Sequence, residues 1–277
     1  MPTTTWFITG ASSGFGLAFA SYALTQGYNV VATARNVTKL ADLKARAPGR
    51  VVTPPVDVND KDSVASAVAV ANERFGGIDV LVNNAGYGIV GAVEETPESE
   101  LRALMETNFF GAVAVTQAVL PFMRVQRRGA IVNISSMGGQ MSFGGYGAYS
   151  ASKFALEGLS EALAQEVAAF GIKVLIVEPG AFRTDFAGGA LRQMPVLAAY
   201  HKELRAIRAF TSNMHQSQAG DPMKAAAAID KALQAETTPL RLQLGEDAIT
   251  SIRAHTETML ADLKAWEPVG LDTRIEV

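Results

Sequence analysis

Trp6-Phe7-Ile8-Thr9-Gly10-Ala11-Ser12-Ser13-Gly14-Phe15-Gly16, running on into Leu17 to Gln26, is the stretch whose reading decides the fold. Trp6 to Thr9 is a short apolar run, read as a strand. Leu17, Ala20 and Leu24 share one face of a helix over 17–26. Between them the glycines are spaced G-x-x-x-G-x-G. A glycine loop joining a strand to a helix turns tightly and lets a pyrophosphate approach the backbone, where the helix N-terminus stabilises it. A tight turn that binds nothing is the other reading. Outward from this unit the pattern repeats. Strands are predicted at 29–33, 51–53 with 56–58, 78–82, 130–134, 173–177 and around Leu240, Leu242 and Leu244. Helices are predicted at 37–47, 63–75, 101–124, 148–170 and 221–235. Strands alternating with helices argue for an α/β fold with a parallel sheet covered on both sides.

The length of 277 residues suits one large α/β domain, and 48% apolar residues suffice for its core. A net charge of −3 with 18% charged residues gives no basic surface for nucleic acid. Cys is absent, which excludes disulfides and thiol ligands and fits a reducing, cytoplasmic setting. Met1 to Trp6 has no basic region and no long apolar run, so it does not read as a signal peptide. Apolar runs are interrupted well short of about eighteen residues, so no membrane span is expected. His201 and His215 stand without acids at ligand spacing, so no metal is expected.

Chemistry concentrates at strand ends. A dinucleotide-binding fold that takes NAD would place an acid after its second strand, to accept from the ribose 2′-hydroxyl. This chain has Ala34 and Arg35 there. A small residue removes repulsion of a 2′-phosphate, and an arginine supplies a partner for it, with the Ser13 hydroxyl as an addition. NADP(H) is therefore read over NAD(H); a solvated arginine at a strand end is the alternative. Asp57 is placed either to accept from an adenine amino group or to cap the next helix, a task Asn59 or Asp60 serves better. Small residues in Asn83-Asn84-Ala85-Gly86 let a ligand near the backbone. Asn108, among Thr107, Phe109 and Phe110, reads in isolation as a core hydrogen-bonding residue. Tyr149 and Lys153, four apart on a helix, lie one above the other. A phenol ionises near pH ~10, and a neighbouring ammonium lowers that value, so the pair makes a proton-transfer device. Ser136, thirteen residues before Tyr149, can hold a carbonyl oxygen beside the phenol.

Taken in order, Thr9-Gly10-x-x-x-Gly14-x-Gly16, Asn83-Asn84-Ala85-Gly86, Asn108, Ser136, Tyr149-x-x-x-Lys153 and Pro179-Gly180 resemble the short-chain dehydrogenase/reductase family in its shorter form, across about residues 5–245. The resemblance implies a single doubly wound Rossmann-type sheet of about seven strands, with helices on both faces. It implies catalytic roles for Asn108, Ser136, Tyr149 and Lys153: Tyr149 as general acid in reduction and base in oxidation, Lys153 lowering its pKa and holding the nicotinamide ribose, Ser136 binding the substrate oxygen, and Asn108 holding a water that links Lys153 to solvent. Cofactor contacts are implied at Gly10, Ser12, Ser13, Gly14, Phe15, Gly16, Arg35, Asp57, Val58, Asn84, Ala85, Gly86, Tyr149, Lys153, Pro179, Gly180, Phe182 and Thr184. Asp57 and Val58 would flank the adenine, and Gly180 and Thr184 the nicotinamide. Ala34-Arg35 matches NADP-preferring members. The implied reaction is hydride transfer to or from a carbonyl carbon. The alternatives are an NAD-dependent alcohol dehydrogenase or epimerase of the same family, and a non-catalytic dinucleotide-sensing regulator, which would have no need of the four catalytic residues together.

Residues of about 185–221 lie outside the core and are expected to cover substrate. Leu197, Tyr200, Leu204 and Ile207 fall at helical spacing. Arg183, Arg192, Arg205 and Arg208 give a basic cast, read as a solvated face before an anion site. Met137, Met141, Phe143, Tyr146, Phe182, Phe186 and Tyr87 suit a small apolar carbonyl or alcohol. The catalytic domain is placed at 1–245. The extension, 246–277, carries an amphipathic helix over 248–266 and is expected to pack on the same domain; a monomer or dimer is favoured over a tetramer.

Overall fold

The computed structural model describes residues 3–214 and 217–275. In chain order the elements are β1 (Thr5–Ile8), α1 (Gly14–Thr25), β2 (Asn29–Ala32), α2 (Ala41–Arg46), β3 (Val51–Val52), α3 (Lys61–Phe75), β4 (Val80–Asn83), β5 (Gly88–Val90), α4 (Glu98–Met105), α5 (Gly111–Gln126), β6 (Gly129–Ile134), α6 (Gly147–Val167), β7 (Ile172–Pro179), β8 (Leu191–Gln193), α7 (Arg205–Asn213), α8 (Pro222–Gln234), β9 (Arg241–Leu244) and α9 (Glu246–Leu271). Seven parallel strands form the main sheet in the order β3-β2-β1-β4-β6-β7-β9.

Alternate side chains of each strand feed two cores, one on either face. Trp6, Ile8, Val30, Val82, Val132 and Leu175 pack with Phe19 and Ile229 against α1 and α8. Phe7, Val31, Leu81, Ile131 and Val174 pack with Val64, Val115, Val119 and Leu163 against α3, α5 and α6. The winding direction reverses between β1 and β4. Loops leave those two strands on opposite courses, and a crevice opens at their carboxyl ends.

Several elements differ from the sequence reading. The third strand stops at Val52, because Pro54 and Pro55 cannot donate to the ladder; residues 56–58 form no strand, and Ala34 and Pro55 make an isolated bridge. The helix over 37–47 divides into a 3-10 turn at Val37–Leu40 and α2. The long helix begins at Glu98, and a π turn at Glu106–Phe110 separates α4 from α5. Together these give one helical run, Glu98–Gln126, long and apolar enough to cross a membrane, with mean hydropathy 1.3 in its most apolar window. Here its Val115, Val119 and Met123 are buried against the sheet. A second, two-stranded parallel sheet pairs β5 with β8, which three-residue strands do not announce. The segment 197–207, expected to be helical in part, forms a 3-10 turn at Ala198–Tyr200 and then enters α7.

The extension is a helix, but not one packed along its own domain. Ala248 is buried, Ile252 and His255 are half-buried, and every residue from Thr256 to Ile275 is exposed. An amphipathic pattern shows that a face is to be covered; it does not say by what.

Two glycines separate packing from propensity. A Cβ on Gly16 would collide with the Gly10 carbonyl and the Asn84 amide, whereas one on exposed, helical Gly158 meets nothing within 4 Å. Gly158→Ala should therefore raise stability by about 0.5–1 kcal/mol. Gly16→Ala should lower it by about 1–3 kcal/mol. Thermal melting of both checks the opposite signs; two shifts of the same sign would contradict this packing.

Candidate active site

The crevice is built from the ends of β1 and β4. Gly10 (φ 64°) and Gly14 (φ 54°) take left-handed conformations that a side chain resists. The Asn84 side chain donates to the carbonyls of Thr9 (2.9 Å) and Gly10 (3.2 Å). The amides of Asn84 and Ala85 donate to the Thr9 hydroxyl at 2.9 and 3.0 Å. A Cβ on Gly14 would touch Thr184 at 3.4 Å, so the loop also meets the segment after Pro179-Gly180. Ser13 is the N-cap of α1, yet its side chain makes no capping hydrogen bond. Arg35, just beyond β2, is exposed and makes no ion pair or side-chain hydrogen bond among the described residues. A glycine cradle, a free hydroxyl and a free guanidinium fit a dinucleotide phosphate group.

A cavity of about 420 Å³ opens beside this loop. Ser136, Tyr149 and Lys153 line it, with Asn84, Gly86, Pro179, Gly180, Phe182 and Thr184. Its apolar wall includes Phe15, Tyr87, Met137, Phe143, Tyr146 and Phe186, and the covering segment adds Ile207, Phe210 and Met214; Met141 lies outside it. Phe186 packs on Tyr149 with ring centroids 5.8 Å apart. Burial pushes the Tyr149 phenol up to about 12, Tyr146 adds to the rise, and the Ser136 hydrogen bond opposes it. Lys153 lies one turn further along α6. Its Nζ donates to the Ile134 carbonyl at 2.8 Å and stands 5.8 Å from the Tyr149 ring centroid. Burial lowers the ammonium to about 8, against the pull of Glu157. At neutral pH the phenol keeps its proton and can give it away.

The remaining expected residues are placed as follows. Asn108 sits in the π turn, buried, with its side chain fully engaged: Nδ2 donates to the Tyr87 carbonyl (2.9 Å) and Ser152 Oγ (3.0 Å), and Oδ1 accepts from the Tyr87 amide (3.0 Å). That side chain ties Gly86-Tyr87 to α6 and does not line the cavity. Asp57 accepts from the Asn59 amide at 3.0 Å, and Asp60 caps α3. Val58 is buried against Gly111. Of the arginines in and beside the covering segment, Arg205 is exposed and makes no ion pair or side-chain hydrogen bond among the described residues, as a solvated face predicts, while the other three have partners. Arg208 pairs with buried Glu95 at 2.6 Å, Arg192 pairs with Glu100 at 3.2 Å and lies over the Tyr87 ring, and Arg183 donates to the Gln218 carbonyl. His201 is exposed, and His215 lies outside the described residues. Among the described residues no group of three His, Asp or Glu is arranged to hold a metal.

Two features escaped the sequence reading. Asp247, in the first turn of α9, accepts from the Ala181 amide at 2.7 Å and lines the cavity; its carboxylate fills the space a Cβ on Gly180 would need. The second is an acid pair behind Ser136. Glu157, one turn beyond Lys153, accepts from Ser135 and Gln140, both at 2.6 Å; Glu178 accepts from Gln140 at 3.0 Å and Gln243 at 2.6 Å. Arg241 Nε stands 3.1 Å from each carboxylate. Burial and Glu157 push the Glu178 carboxyl up to about 7, so the pair holds a proton. A glutamate before Pro179-Gly180 and another four residues after Lys153 were the available signal, each unremarkable alone.

Comparison with known proteins places the geometry in context. The family model described as short chain dehydrogenase matches residues 4–195. The chain is 40% identical over 270 residues to Oxidoreductase BOA17 of Botryotinia fuckeliana (strain B05.10), covering 97% of this chain and 98% of that protein. It is 40% identical over 266 residues to the 3-ketodihydrosphingosine reductase of Bacteroides thetaiotaomicron, covering 94% and 92%. A crystal structure of a short-chain dehydrogenase from Streptomyces avermitilis superposes with a TM-score of 0.94 at 50% identity, covering 99% of this chain and 100% of that one.

The acid pair has a stability signature. The unfolded Glu178 carboxyl loses its proton near its ordinary 4.5, the folded one near 7. The folded chain therefore binds more protons in between, and this contribution falls as pH rises from about 5 to 7. Glu178→Gln, which keeps the acceptor and mimics the protonated acid, should lose that slope. Melting temperatures at pH 5 and 8 should show the variant gaining on the wild type at the higher pH; parallel curves would exclude a shared proton.

Proposed function

The chain belongs to the short-chain dehydrogenase family, and on that premise we propose that it is an NADP(H)-dependent reductase of lipophilic ketones or aldehydes. The observation carrying this reading is a phenol kept protonated at neutral pH in the wall of a mostly apolar cavity that Ser136 and Lys153 also line. Ser136 and Tyr149 would hold the carbonyl oxygen, Tyr149 would deliver its proton as charge develops there, and Lys153 would keep a positive charge near the phenol that loses it. The cofactor, when bound, supplies the hydride to the carbonyl carbon. Phe186 and the covering residues would exclude water from the reacting carbon.

NADP(H) over NAD(H) is supported by Ala34 in place of an acid, by an Arg35 unpaired among the described residues and by a Ser13 hydroxyl that makes no capping hydrogen bond. A lipophilic substrate is supported by the aromatic and Met lining, and by the long-chain keto lipid in the name of the Bacteroides relative.

Tyr149→Phe should reduce kcat by about 10²–10⁴-fold while leaving cofactor affinity unchanged; full turnover in that variant would remove Tyr149 from the chemistry. In fluorescence titrations NADPH should bind at least about tenfold more tightly than NADH, a gap of about 1.4 kcal/mol. Arg35→Ala should close that gap. Equal binding of the two by the wild type would end the NADP reading.

A further inference from the structure

Helix α9 carries an apolar stripe that nothing in the described structure covers. Ile249, Ile252, Met259, Leu263 and Trp266, with Thr256 and Gly270, alternate at spacings of three and four over three heptads. Thr256 fits because its hydroxyl donates to the Ile252 carbonyl at 2.8 Å, within its own helix. The stripe starts against the body at Ala248 and half-buried Ile252, then runs bare: Met259 is 58% exposed, Leu263 65% and Trp266 68%. A helix of 26 residues spans about 39 Å. Its outer part has no tertiary support, which supplies most helical stability in proteins.

We propose that α9 is a self-association element that pairs antiparallel with α9 of a second copy, about a two-fold axis near Leu260 and Ala261. Charge decides the direction and the register. The positions flanking the stripe on one side are Arg253, Leu260 and Glu267. Pairing about that axis brings Arg253 to the partner's Glu267 twice and Leu260 to the partner's Leu260, and it stacks Met259 on the partner's Leu263. A parallel arrangement would set Asp262 against the partner's Glu267, like charge against like. The same face suits an anionic lipid surface poorly, because residues 246–271 hold five acids against two Lys or Arg. On the other flank the same pairing sets Asp262 near the partner's Asp262, one like-charge contact against two Arg253–Glu267 pairs, so the inverted arrangement still fits a second copy of this chain better than the parallel one.

The absence of Cys makes the test direct. Leu260→Cys on the full chain, treated with a short bismaleimide, should give a covalent dimer on a denaturing gel, and Ala254→Cys, on the opposite face, should not. In sedimentation equilibrium, Arg253→Glu and Glu267→Arg should each weaken dimerisation at least threefold, and the double variant should restore it within twofold. Leu263→Glu should dissociate the α9 contact, and its melting temperature should lose the dependence on protein concentration that the wild type shows. An absent Leu260→Cys crosslink, or a charge swap that fails to restore, overturns the proposal. So does a Leu263→Glu variant that loses vesicle binding at unchanged mass, which would assign the stripe to a lipid surface.

Discussion

One carboxamide holds the crevice in shape. Asn84 spends both of its amide protons on the carbonyls of Thr9 and Gly10, and its own backbone amide is spent on the Thr9 hydroxyl. Those bonds join the ends of β1 and β4, the two strands between which the winding reverses. Without them the glycine loop would have nothing to fix its left-handed residues against, since a glycine has no side chain to anchor it. The close packing of Gly10 and Gly16 on Asn84 is the steric side of the same constraint. A second polar ladder runs parallel to it inside the sheet, from Thr116 through Asn83 and Asn133 to Ser160. These bonds tie the strand ends that present the chemistry to one another and to α5 and α6, leaving only the Asn83 side-chain carbonyl oxygen of this ladder without a partner.

On that frame the reactive groups are held by bonds to the backbone rather than to each other. Lys153 is fixed by the Ile134 carbonyl, Ser136 accepts from the Gly138 amide at 3.0 Å, and Asn108 grips Tyr87. The protonated phenol and the lowered ammonium both follow from burial, which disfavours charge of either sign; at about 8 the ammonium is still mostly charged at neutral pH.

The main sheet was readable because each of its strands ends in a small or polar signal and is followed by a helix with clear periodicity. Gly10, Gly14 and Gly16 announced their conformations, and Asp221 announced the cap of α8 that it makes with the amides of Met223 and Lys224. What was not readable is non-local. The π turn at Asn108 depends on tertiary bonds to Tyr87 and Ser152, and no local propensity encodes it. The pairing of β5 with β8 joins segments about a hundred residues apart, each too short to show alternation. Glu157 and Glu178 come together only when α6 packs beside β7. Arg192 and Arg208 looked unpartnered because Glu100 and Glu95 lie far away in the chain.

The contact between Glu95 and Arg208 bears on tempo rather than affinity. Glu95, fixed locally by the Ala92 amide, also accepts from the Leu197 amide, so one carboxylate latches the covering segment at two points. Lifting that segment strands a desolvated carboxylate until water reaches it. A bound molecule in the cavity beneath is thus detained by a barrier that has nothing to do with how well it fits. Residence time and complementarity become separate properties of this enzyme, set in different places on the chain.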